Sequence, residues 1–316
     1  LHSTSRRQRQ MCIRDRSSIT RALGIDAYIA LDENRNFAGA AVDMLRADGW
    51  DGKIIDVNEA LALMTRKTLL VVVDTHKSSF VDFPTLYEKA SATVVIDHHR
   101  KSVDHIKDAL IFFHDPNASS TCEMVTELMR YITPAPTLSP VEAQAMLAGI
   151  MLDTKEFVLS TGVRTFEAAA FLKGKGADTV AVKRLFSNSI ESNRKRSEII
   201  SAAHIYRGCA IACTAPGTEN ARLLSAQAAD ELLEVSGVKA SFVIFDSGKD
   251  SVNISARSYG DLNVQIIMEY LGGGGHRTMA AAQLTGVNME EAKSKLCEAI
   301  DAKYPRTDDE EPTPIS

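Results

Sequence analysis

Two stretches decide the fold: Leu69-Leu70-Val71-Val72-Val73-Asp74 and Thr93-Val94-Val95-Ile96-Asp97-His98-His99. Each is a short, continuous apolar run rich in β-branched residues. Such two-sided apolar runs suit buried strands of a parallel sheet. Each ends abruptly in acidic or imidazole side chains, which places Asp74 and Asp97-His98-His99 at the C-terminal ends of strands. That edge is the ligand crevice of an open α/β sheet. Ala27 to Leu31 reads as a further short strand, and helical patterns alternate with the strands at 38–47, 84–90, 120–131 and 140–152. Alternation of this kind predicts an α/β, doubly wound, mostly parallel sheet domain.

Asp153 closes the apolar helix that runs through Gly149-Ile150-Met151-Leu152, and Ser139, Pro140 and Glu142 form its start signal. Carboxylates favour hard divalent cations and imidazole favours first-row transition metals, so the clusters at Asp74, Asp97-His98-His99 and Asp153 together suit Mn2+ or a similar ion. A phosphoester substrate uses such an ion to polarise its phosphoryl oxygens and acidify water. Each residue also has a plain structural use. An Asp after a strand often caps a helix or turns a loop. Ser119-Ser120-Thr121 could hold an anion at a helix N-terminus or simply cap it. His76 stands two residues after Asp74 and could support the cluster. His105, His114 and His204 have no spacing that singles them out.

A second domain follows a charged helical pattern over 180–203. It reads as a strand at 209–213, a helix at 225–236 ended by Gly237, strands at 241–246 and 251–257, and a closing helix at 289–304. Its mark is Gly272-Gly273-Gly274-Gly275-His276. Four glycines in a row argue against a stable helix or strand there. They let backbone N–H groups approach an anion, and His276 can bond a phosphate or stack on a base. Arg257, at a strand end, could pair with phosphate in bidentate fashion or sit in a salt bridge.

The formal net charge is −5, with 45% hydrophobic and 24% charged residues. The bulk basic footprint of a long-nucleic-acid binder is absent. Five cysteines without zinc spacing read as reduced thiols of a cytoplasmic protein. No apolar run reaches the roughly 18 residues of a membrane span, so no membrane contact is expected from this chain. The expected organisation is 1–16 non-native or disordered, 17–185 the first domain, 186–205 a helical linker, 206–305 the second domain and 306–316 a disordered acidic tail.

In this order, the motifs at Asp74, at Asp97-His98-His99, over Gly149–Thr154 and over Gly272–His276 resemble the DHH phosphoesterase family with its DHH-associated C-terminal domain. Leu152-Asp153-Thr154-Lys155 and Thr161-Gly162-Val163-Arg164-Thr165-Phe166, with Gly275-His276-Arg277-Thr278-Met279-Ala280, are most similar to its GdpP-type cyclic-di-AMP phosphodiesterases. The resemblance implies Mn2+-dependent hydrolysis of cyclic-di-AMP to linear pApA. Asp74 would bridge two ions, and His98 and Asp153 would complete one of them. His99 and Asp97 would be catalytic. Arg257, Gly273, Gly274, Gly275 and His276 would bind substrate across an interdomain cleft. The partner is then a small nucleotide and not long nucleic acid; a homodimer is an open option, and full-length relatives are membrane-anchored. The family's His-x-x-x-Asp-x-Asp motif does not occur in this sequence, and Leu1–Arg16 is similar to translated adapter sequence. An impaired copy with one ligand set partly missing is therefore expected. The alternatives are a short-oligonucleotide exonuclease of the same family, a less fitting inorganic pyrophosphatase, or a non-catalytic nucleotide-binding module.

Overall fold

The computed structural model describes residues 26–31, 39–50, 53–132, 137–187, 189–246, 248 and 251–304. The expected segment 1–16 and the tail 306–316 lie outside the described residues. The chain divides into two compact units, the first running to Ser187 and the second from Asn188.

The first unit contains β1 (Ile29–Ala30), α1 (Gly39–Leu45), β2 (Ile54–Ile55), α2 (Val57–Leu63), β3 (Leu69–Val73), α3 (Pro84–Lys89), β4 (Ala92–Asp97), β5 (Ile111–His114), α4 (Thr121–Ile132), α5 (Pro140–Asp153), α6 (Val163–Gly174) and α7 (Thr179–Arg184). Strands β3, β4 and β5 form a parallel sheet in that order, and β1 pairs in parallel with β2. The apolar runs are two-sided because both faces are covered. Val71, Val73, Val94 and Ile96 face a core built with α4, α5 and α6, including Met124, Met129, Met146 and Leu172. Val72 and Val95 face the opposite way, against Ile106, Val81 and Tyr87. This is the period-2 alternation of a strand with apolar residues on both sides.

Helix α5 carries the predicted start: Ser139 Oγ accepts from the Glu142 amide, and the Glu142 carboxylate accepts from the Ser139 amide. It is apolar nearly all round, as its burial from Ala143 to Ile150 requires. Several elements differ from expectation. Strands β2 and β5 and helix α2 went unread, since two- to seven-residue elements give too little pattern to count. The helical stretch expected over 180–203 is two helices, α7 and α8 (Ile190–Ser201). Helix α8 belongs to the second unit: Ile199 is buried against Leu224, Ala228 and Leu232.

The second unit continues with β6 (His204–Tyr206), β7 (Cys209–Cys213), α9 (Ala221–Leu232), β8 (Ala240–Asp246), β9 (Ser251–Ser258), α10 (Val264–Tyr270), β10 (Gly274–His276), β11 (Met279–Thr285) and α11 (Met289–Lys303). Its six strands run β10-β11-β9-β8-β7-β6, with β7 and β8 parallel and the other pairs antiparallel. One face packs Ile211, Phe242, Ile244 and Ile254 against α10 and α11, and the other packs Ala210, Ala212 and Val243 against α8 and α9. Helix α9 begins and ends four residues before the predicted 225–236, so Gly237, at φ +82, lies beyond the helix in the turn into β8.

The expectation that four glycines exclude a strand is overturned. Gly274, Gly275 and His276 form β10, paired with Ala281, Ala280 and Met279. The glycines serve close approach. A Cβ on Gly273 would stand 2.2 Å from the Ala281 carbonyl oxygen, and one on Gly275 would stand 2.5 Å from Ala280 Cα.

Candidate metal centre

The site is built where β3 and β4 end. Asp74 follows β3 directly, and its amide still pairs with Ile96 O at 3.0 Å. It then turns into the left-handed region, φ 58. An L residue pays roughly 1–2 kcal/mol for that conformation, a cost characteristic of functional sites. The turn leaves the Asp74 carboxylate 1% exposed at the strand end. There Oδ1 accepts from Thr121 Oγ1 at 3.0 Å, at the start of α4.

His98 and His99 follow β4. His98 Nε2 lies 3.4 Å from Asp74 Oδ1 and 3.8 Å from Asp153 Oδ2 at the end of α5. Its Nδ1 lies 3.3 Å from the Ala118 carbonyl, which can only accept, so Nδ1 carries hydrogen and Nε2 is the nitrogen turned toward the carboxylates. His99 Nδ1 bonds Asp97 Oδ1 at 2.7 Å and lies 3.9 Å from Asp74 Oδ1. The five residues predicted for this centre, Asp74, Asp97, His98, His99 and Asp153, are thus brought together.

The electrostatics follow from this crowding. Burial by itself would lower the His98 pKa; the Asp74 carboxylate, then Asp153 and Asp97, overcome it and push the imidazole up to about 10. For His99 burial again opposes, and the bond to Asp97 with the charge of Asp74 raises it. Asp97 is held well below the usual carboxylate range: burial works against ionisation, but bonds from His99 and His76 outweigh it.

Asp74 Oδ2 and His98 Nε2 are both buried without a hydrogen bond among the described residues. Buried polar atoms are ordinarily satisfied. Asp74, His98 and His99 can each aim one ligand atom into a space where these atoms lie within 4.8 Å of one another. A cation bonded to these oxygen and nitrogen donors would satisfy both orphaned atoms, so the residues fit a divalent metal.

Three contributors were not singled out by sequence. His114 ends β5 opposite Asp97, and its Nε2 donates to the His99 carbonyl at 2.5 Å. The signal would have been the strand Ile111-Phe112-Phe113, too short to read. The Ala118 carbonyl is invisible in sequence. Thr121, weighed only as an anion holder or cap, instead orients Asp74. Its neighbour Ser120 performs the capping, accepting from the Glu123 amide at 3.0 Å.

In the second unit, Arg257 is 6% exposed and tied internally, with Nε on Asp230 at 3.0 Å and Nη1 on Ser255 Oγ and the Ala256 carbonyl. Of its two expected uses, the salt bridge is the one the geometry displays. His276 is exposed at the end of β10.

An α/β unit with Asp and His donors gathered at its strand ends presents a candidate metal centre. Residues 10–150 match the model of the DHH family, N-terminal domain, and residues 210–304 that of the DHHA1 domain. The chain thus belongs to the DHH family, with a DHHA1 domain as its second part. It is 47% identical over 280 residues to the cyclic-di-AMP phosphodiesterase GdpP of Geobacillus thermodenitrificans, covering 87% of this chain and 42% of that protein. It is 42% identical over 307 residues to the enzyme of the same name from Bacillus subtilis, covering 92% and 46%. The chain therefore spans less than half the length of these curated relatives. An exopolyphosphatase-related protein from Bacteroides fragilis shares the fold, with a TM-score of 0.68 at 20% identity over 83% of this chain and 81% of that one.

Proposed function

We propose that this chain is the hydrolytic part of a manganese-dependent phosphodiesterase that opens cyclic-di-AMP to linear pApA. The observation that carries the reading is the pair of buried, unbonded ligand atoms, Asp74 Oδ2 and His98 Nε2, at the strand ends of a DHH domain. The identity to named cyclic-di-AMP phosphodiesterases supports that substrate.

On this reading Asp74, His98 and Asp153 hold the ion, which supplies positive charge to the phosphoryl oxygens and lowers the pKa of nearby water. Asp97 keeps the His99 ring fixed through Nδ1, and the ring, whose pKa is raised, donates its Nε2–H to the scissile phosphate. The ionised Asp97 also stabilises positive charge on that ring as the 3′ oxygen departs. Gly273, Gly274, Gly275 and His276 bind the dinucleotide; the close glycine backbone offers N–H groups without side-chain interference. Arg257 acts on substrate only indirectly, by holding β9 to Asp230. No helix among the described residues is long and apolar enough to cross a membrane, and on this reading the chain works in the cytoplasm.

The test is incubation of the purified chain with Mn2+ and cyclic-di-AMP, with products separated by anion exchange. Linear pApA should accumulate, and Asp74→Asn should lower the rate by more than about 100-fold, beyond the range of outer partners of a metal site. Faster consumption of linear pApA than of the cyclic form would favour the exonuclease. Binding without turnover in Mn2+ would favour the binding module.

A further inference from the structure

Resting on the reading in which Asp74, His98 and Asp153 hold the ion and His99 faces the scissile phosphate, we propose that His76 is a positioning residue that fixes the tautomer of His99 through Asp97.

His76 is 2% exposed, two residues beyond Asp74, and its carbonyl accepts from the Ile106 amide at 2.8 Å. Its Nε2 lies 2.9 Å from the backbone N of Ser102. An amide N–H can only donate, so Nε2 must be the bare nitrogen and the ring hydrogen sits on Nδ1. That Nδ1–H meets Asp97 Oδ2. Asp97 is fully buried, and its Oδ2, receiving that hydrogen, is an acceptor. Its other oxygen accepts from His99 Nδ1 at 2.7 Å and from the His99 amide at 3.3 Å. The direction of every bond is therefore set from the Ser102 amide inward. In the neutral ring the outcome is a hydrogen on His99 Nδ1 and a lone pair on His99 Nε2.

His114 completes the clamp by donating to the His99 carbonyl. His98 reaches the same state by a different route, through the Ala118 carbonyl. Both histidines thus present Nε2 as the nitrogen without a fixed hydrogen. His76, Asp97 and His114 could also be taken for a second ion site, since they can place ligand atoms within 4.8 Å of one another. The bond directions oppose that. Both His76 nitrogens and His114 Nε2 already have partners, and the His76–Asp97 contact is a direct hydrogen bond with no room for an ion between.

Two readouts test the proposal. The first is 15N NMR of histidine-labelled, metal-free protein, followed upward in pH until His99 is neutral. Wild type should show His76 and His99 both hydrogenated on Nδ1. A His76 hydrogenated on Nε2 would overturn the proposal outright. The second compares His76→Asn, whose amide can replace the Nδ1–H donor, with His76→Phe, which cannot donate. Cyclic-di-AMP turnover in Mn2+ should fall about 10-fold in His76→Phe and stay within about 3-fold in His76→Asn, with Mn2+ affinity, read by EPR of the free ion, unchanged in both. His99 should lose its tautomer preference only in the phenylalanine variant. Equal effects in the two variants, or none in either, would reduce His76 to packing. If His76→Phe does not fold, the wild-type spectrum still decides, since a His76 hydrogenated on Nε2 is incompatible with the bond to Asp97. Because the NMR arm needs neither metal nor turnover, its failure is distinct from a failure of the phosphodiesterase reading.

Discussion

The glycine run allows a paired substitution in which one chemical change meets two environments. In Gly273→Ala the new Cβ would stand 2.2 Å from the Ala281 carbonyl oxygen and 2.6 Å from Ala282 Cα. Ordinary contact begins near 3.4 Å, so β10 and β11 must part by 3.4 − 2.2 = 1.2 Å. A hydrogen bond near 2.9 Å does not survive that displacement. With β10 only three residues long, about two ladder bonds are lost at roughly 1 kcal/mol each. Strain of about 1–3 kcal/mol is the alternative if the strands hold. Against this, replacing glycine by alanine within a strand recovers roughly 0.5–1 kcal/mol. The net expectation is a loss of about 1–2 kcal/mol. Gly274→Ala places its Cβ with nothing within 4 Å, so only the gain remains. The two variants should differ by about 2–3 kcal/mol in local opening, a factor of roughly 30–150 in exchange protection. Hydrogen exchange by mass spectrometry over 272–285 reads this directly. A difference under about 0.5 kcal/mol would refute the claim that these glycines exist for close approach.

Further expectations concern the first unit and the thiols. With the His98 pKa raised from 6.5 to about 10, its contribution to the stability of the metal-free protein is complete below pH 6.5 and is lost as pH rises through about 10. Thermal melts of metal-free protein should therefore decline between pH 7 and 10, while Mn2+ affinity rises over the same window because the ion competes with the His98 proton; flat melts would contradict the ion cluster. Thr121→Val removes the hydroxyl that orients Asp74 and should weaken Mn2+ binding by about 10-fold in calorimetry, with Thr121→Ser near wild type. Cys209 is buried, and burial pushes its thiol up to about 12. It should resist iodoacetamide at pH 8 in the native protein and react after urea, as read by peptide mass spectrometry.

The sequence by itself determined the fold class and which residues gather at the candidate metal centre. The runs ending at Asp74 and at Asp97-His98-His99 are long enough to show period and burial, and strand ends are where an α/β sheet collects its ligands. Asp153 was legible because its helix carries a complete start signal at Ser139 and Glu142. Only the tertiary structure decided how these side chains are held. Strand β5 is four residues long and unreadable alone, yet its register with β4 places His114 against the backbone of His99. Thr121 lies 47 positions from Asp74, and the Ser102 amide that orients His76 is a backbone group that any residue but proline provides. The glycine run shows the same limit: composition argued against a strand, while sheet pairing made one from glycines because nothing larger fits beside β11. Local pattern fixes which residues share an element and a face; hydrogen-bond partners far apart along the chain are fixed only when those faces close on one another.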